Sequence, residues 1–219
     1  MHRFVWDLRY PPPAVLNFQY PISGQPGNTP REPRGPWVVP GTYTVRLTVN
    51  GRAYTQPLTV RMDPRVKTPA ATLARQFALS KGVFDDIART RVALDEVRAL
   101  RASLRATRAR ATADVAANVD SLDRAASALE GAAGGFGGGA AASTGVPSLA
   151  GTIGQLAQLY GALQEADVAP TSQLVAAAQA AQRSVPEVIG RWTTMRTRDV
   201  PALNTRLRAA NLPELTVSR

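Results

Sequence analysis

Residues 41–62 read GTYTVRLTVNGRAYTQPLTVRM, two stretches of alternating apolar and polar residues separated by Asn50-Gly51. A two-residue type I′ turn needs two consecutive residues at positive φ, and Asn-Gly is the pair that adopts this most cheaply. The turn fixes a register. Pairing Val49 with Arg52 sets Leu47 against Tyr54, Val45 against Gln56 and Tyr43 against Leu58. By the two-residue period of a strand, these make one mostly apolar face, while Thr42, Thr44, Arg46 and Thr48 occupy the wet one. Pro57 lies inside the second arm and has no N–H, which places that arm on an edge or at a bulge.

A second apolar alternation opens the chain. HRFVWDLRY (2–10) sets Phe4, Trp6, Leu8 and Tyr10 on one side and Arg3, Val5, Asp7 and Arg9 on the other, the pattern of a half-buried strand. Three strands do not close a sandwich, which usually has about seven. The β part therefore reads as partial, with strands expected from upstream of Met1. The loop 11–40 is rich in proline and glycine and reads as a long surface excursion between strands.

The pattern turns helical at residue 68. Thr68 reads as an N-cap with Pro69 in the first helical position, followed by Leu73, Phe77, Phe84, Ile87, Leu94 and Val97, giving a long helix to about Arg110. A second helix is expected over 113–130, and the Gly-rich stretch 131–146 reads as a linker. Pro147 and Pro170 open two more helices. Pro186 and Pro201 should each kink or break the chain, leaving a short last helix near 201–210. The fold class is α+β: a partial immunoglobulin-like antiparallel sheet with its loop in residues 1–67, then an up-and-down bundle of four to five helices in residues 68–219.

Composition narrows the chemistry. A single histidine, His2, excludes histidine dyads, triads and multi-histidine metal sites, and the absence of cysteine excludes thiolate sites and disulfides. Asp85-Asp86 and Asp95-Glu96 are adjacent on a helix and point about 100° apart, so neither pair can flank a bond. The Gly-rich stretch lacks the features of a phosphate loop. No catalytic residue, cofactor or metal site is expected, and no stretch is long and apolar enough to span a membrane.

The formal charge of +10 is concentrated in residues 1–67, and only two of the 26 basic residues are lysine. The later half of the first helix bears an arginine stripe, Arg89, Arg91, Arg98, Arg101, Arg105, Arg108 and Arg110. It could grip phosphates. The next helix, however, carries Asp114, Asp120, Asp123 and Glu130 against Arg124 alone, and folding back would bring opposite charges together, so internal pairing or a solvated face is the favoured reading. Trp192, with Met195 close behind, and Trp6 read as core.

HRFVWDLRY (2–10), VPGTYTVRLTVNGR (39–52), VRMDPR (60–65), DVAPT (167–171) and DVPALNTRLRAANLPEL (199–215) together resemble the C-terminal region of large bacterial sortilin-type or BNR (Asp-box) β-propeller proteins, often labelled glycosyl hydrolase or sialidase-like. The resemblance covers nearly the whole chain and is weakest in the Gly-rich stretch. It implies an immunoglobulin-like sandwich following a propeller, with a helical segment closing the chain, and so accounts for the missing strands. It carries over no catalytic residue, because no S-x-D-x-G-x-T-W box occurs. Met1 resembles an internal position of the longer proteins, as in a fragment, a wrongly chosen start or half of a split gene.

The expected function is that of a non-catalytic accessory or interaction module, with Phe4, Trp6, Leu8, Tyr43, Val45, Leu47 and Tyr54 as its docking and core face. The partners implied are an upstream β-propeller domain or a protein that supplies the missing strands, with a protein or glycan as ligand. A periplasmic or extracellular location follows only for the full-length family protein. The alternative is a fragment of a glycoside hydrolase whose catalytic propeller is missing or encoded upstream. A nucleic-acid-binding helical protein is the third reading.

Overall fold

A computed structural model describes residues 3–19, 31–132 and 146–216. His2, the centre of the Pro/Gly loop and most of the Gly-rich stretch lie outside them. In chain order the elements are β1 (Gly41–Val49), β2 (Arg52–Val60), α1 (Ala70–Arg108), α2 (Ala113–Glu130), α3 (Leu149–Leu163), α4 (Ser172–Thr194), a π-helical turn (Met195–Asp199) and α5 (Val200–Ala209). The fold is α+β, a two-stranded antiparallel sheet followed by a helical bundle. None of these helices is long and apolar enough to cross a membrane.

The hairpin has the register its turn dictates. Val49 pairs with Arg52, Leu47 with Tyr54, Val45 with Gln56 and Tyr43 with Leu58, and Asn50 and Gly51 take φ of 49° and 79°. Both values lie in the left-handed region that a type I′ turn requires.

Helix α1 spans 39 residues, about 58 Å at 1.5 Å per residue, and is the spine of the bundle. It buries Leu73, Val83, Ile87, Leu94, Val97, Leu100 and Leu104 at helical spacing and packs on α2, α3 and α4. The turn at 109–112 reverses the chain, so α2 runs back along α1. Ion pairs record the antiparallel order: Arg108 meets Asp120, Arg101 meets Asp123, and Arg98 meets Glu130. Tyr160 and Leu156 of α3, Val185, Val188 and Trp192 of α4, and Leu203 and Leu207 of α5 complete one continuous core.

Several local expectations are corrected. Residues 3–10 do not form a strand. Leu8 sits at φ 60°, the Asp7 carboxylate accepts from the Arg9 N–H, and Trp6 Nε1 donates to the Arg9 carbonyl. Together these bonds close a turn that sends Arg9 inward, and the β pairing shrinks to a bridge between Arg9 and Trp37. Alternation alone was insufficient without a partner strand alongside.

Thr68 does not cap α1. Its hydroxyl donates to the Asp167 carbonyl at 2.6 Å, tying the helix start to the α3–α4 connection, and Pro69 occupies the capping position. The starts of α3 and α4 are capped by Ser148 and Thr171, whose hydroxyls accept from Gly151 N and Leu174 N. Pro186 breaks nothing. It lies at an exposed position inside α4, which runs on unbroken to Thr194 although the proline supplies no N–H to the helix.

Pro201 is accommodated by the π turn just before it. In that turn the Val200 N–H reaches back five residues to the Met195 carbonyl, which adds one residue to the helical repeat. Buried Met195 is therefore followed by buried Val200, Leu203 and Leu207, where an unbroken α-helix would rotate that row away from the core.

The described residues that precede β1, 3–19 and 31–40, strap onto this bundle. Val15 is buried in the helical core, and Arg91 Nη1 donates to its carbonyl at 3.0 Å. Tyr160 donates its hydroxyl to the Arg34 carbonyl at 2.8 Å, and the Trp37 N–H donates to Gln164 Oε1 at 3.0 Å.

Candidate docking surface

The hairpin projects from this strapped bundle. No residue of β1 or β2 is fully buried, and only Tyr43 and Val60 are partly covered. The odd-numbered side chains of β1 and their partners on β2 give a contiguous apolar row. Leu47 is 60% exposed, Val45 50% and Tyr54 48%, with Val49 and Leu58 extending the row on the same face. An apolar face this open on a two-stranded sheet is costly to leave in water.

The row is anchored at one end only. Tyr43 donates its hydroxyl to the Val39 carbonyl at 2.6 Å and packs edge-to-face against Trp6, with ring centroids 5.7 Å apart. Burial, with Tyr10 nearby, pushes the Tyr43 phenol above its ordinary pKa. At the other end Arg52 extends over the Tyr54 ring.

Of the residues assigned to this face from the sequence, Tyr43, Val45, Leu47 and Tyr54 share it. Trp6 reaches its rim through Tyr43. Phe4 stands apart, 89% exposed on the coil before the turn, and Leu8 is exposed at the turn itself. Neither is core, because the segment that would have carried them as a strand is a turn.

The sequence pattern also missed Arg9. Alternation put it on a polar face, yet it is buried, its guanidinium 3.7 Å from the Trp37 ring centroid and its Nη1 donating to the Gly35 carbonyl at 2.7 Å. Burial, and then the charge of Arg34, lower its pKa from the ordinary value. Gly35 is required here: a Cβ on it would meet the Tyr10 carbonyl oxygen at 1.8 Å. The close approach of two backbones, which only glycine allows, was the available signal.

The arginine stripe of α1 is largely engaged by carboxylates. Arg101 donates to both Asp123 and Glu130, Arg98 to Glu130, Arg108 to Asp120, and Arg91 to Asp95. Burial pushes the Glu130 carboxyl up, but the hydrogen bonds from Arg101 and Arg98 outweigh it and hold the group below its ordinary value. The adjacent acids diverge: Asp86 is buried and accepts from Gln182 and Arg89, whereas Asp85 pairs with Lys81. Trp192 and Met195 are core. Among the described residues no three His, Cys, Asp or Glu side chains cluster as metal ligands.

Compared with family models, curated proteins and solved structures, the chain matches none.

Proposed function

We propose that this chain is a non-catalytic interaction module, and that its working part is the apolar face of the β1–β2 hairpin. The observation that carries the reading is the contrast between two apolar surfaces. The helical core closes on its own residues and on Val15, whereas Val45, Leu47 and Tyr54 stay about half exposed on a sheet of two strands. The resemblance to the C-terminal region of Asp-box propeller proteins supplies the context: a larger secreted, glycosyl hydrolase-like protein whose neighbouring β structure covers this face.

The test uses the full chain and a hydrophobic dye. Dye fluorescence should appear with the native chain and fall when Val45, Leu47 and Tyr54 are replaced together by threonine, with the melting curve unchanged. A cooperatively melting monomer that binds no dye contradicts the reading.

A further inference from the structure

The hairpin has two outer edges, and they are not equivalent. In a two-residue hairpin the closing pair, Val49 and Arg52, exchanges hydrogen bonds, and hydrogen-bonded pairs then alternate with non-bonded ones. The register makes 47/54, 45/56 and 43/58 bonded, and 48/53, 46/55, 44/57 and 42/59 non-bonded. The backbone groups of the non-bonded residues point away from the partner strand. Ala53, Thr55, Pro57 and Thr59 therefore form the outer edge of β2, and Pro57 interrupts it with a missing N–H and a ring. The outer edge of β1 is Thr42, Thr44, Arg46 and Thr48, an unbroken row of donors and acceptors. Among the described residues no backbone group outside the hairpin bonds to this edge.

Resting on the reading of the hairpin as a docking element, we propose that the partner adds an acidic, extended strand along the outer edge of β1. Charge selects the partner. Residues 41–62 carry Arg46, Arg52 and Arg61 and no carboxylate. A second copy would bring further arginines to the edge, whereas an incoming strand with a carboxylate on its polar side meets Arg46. Its apolar side chains would extend the row of Tyr43, Val45 and Leu47.

The probe is a capped octapeptide alternating valine with glutamate and threonine, added to the full chain, with a control in which lysine replaces glutamate. Amide exchange at Thr42, Thr44, Arg46 and Thr48 should slow by about tenfold or more on saturation, with Ala53, Thr55 and Thr59 unchanged. The lysine peptide should bind more weakly, and Arg46→Glu should invert the preference. Protection along β2 overturns the edge assignment and leaves the docking reading standing. The same holds for loss of binding in Val45→Thr/Leu47→Thr without any amide protection, which means face docking with no added strand. Concentration-dependent self-association that protects the β1 amides, or equal binding of both peptides, overturns the acidic partner. No binding of either peptide overturns the proposal, and the dye test then decides the reading beneath it.

Discussion

Leu47 lies directly opposite Tyr54 across the hairpin, and both side chains remain about half exposed or more. Two large apolar residues thus form a cross-strand pair that shields neither of them from water. Their replacement should cost little: Leu47→Ala is expected to destabilise the chain by less than about 0.5 kcal/mol, as for other exposed positions. Leu94, fully buried in α1, should cost about 2–5 kcal/mol on conversion to alanine. Urea unfolding of the two variants side by side checks the contrast.

Trp192 Nε1 donates to Glu96 Oε2 at 2.6 Å, joining α4 to α1, with Arg196 Nη1 3.8 Å from the same oxygen. Trp192→Phe should lose about 1.5–3 kcal/mol, the range for a hydrogen bond to a charged group, with added loss from the smaller ring. Glu96→Gln keeps an acceptor and should lose less. A double-mutant cycle by urea unfolding should return a favourable coupling; zero coupling contradicts the bond.

Glu130 gives the α1–α2 pairing a pH dependence. Its folded pKa lies below the ordinary value, so its contribution is fully present above the unfolded carboxylate pKa. It is lost as pH falls through the folded value. Stability measured from about pH 6 down to pH 2 should fall less steeply in Glu130→Gln than in the native chain.

Pro201 and the π turn should be coupled. Deleting the exposed Thr197 would return the segment to α-helical spacing and keep Leu203 and Leu207 facing inward. It would also set Pro201 against a carbonyl four residues back, a clash of about 3 kcal/mol. The deletion should therefore be harmful in the native chain and much milder in Pro201→Ala, as read from thermal melting.

Features fixed by local chemistry were legible in the sequence. Asn50-Gly51 determined the hairpin register, and the acids of α2 at Asp120, Asp123 and Glu130 anticipated the partners of Arg108, Arg101 and Arg98. Features that depend on distant contacts were not. Arg9 is buried because Trp37 and Gly35, more than 25 residues away, receive it. Phe4 alternates like a strand residue, but with no strand beside it the chain makes local bonds at Trp6, Asp7 and Arg9 instead. Thr68 is a good cap by composition, yet the Asp167 carbonyl takes its hydroxyl.

The most direct test is excision of residues 42–59, with Gly41 and Val60 joined by a short glycine-serine linker, since the two are already paired neighbours. If the hairpin is a docking element on a self-sufficient bundle, the shortened chain should melt cooperatively within about 3 °C of the native one and lose its hydrophobic dye binding. Collapse of the melting transition, or undiminished dye binding, would contradict the account.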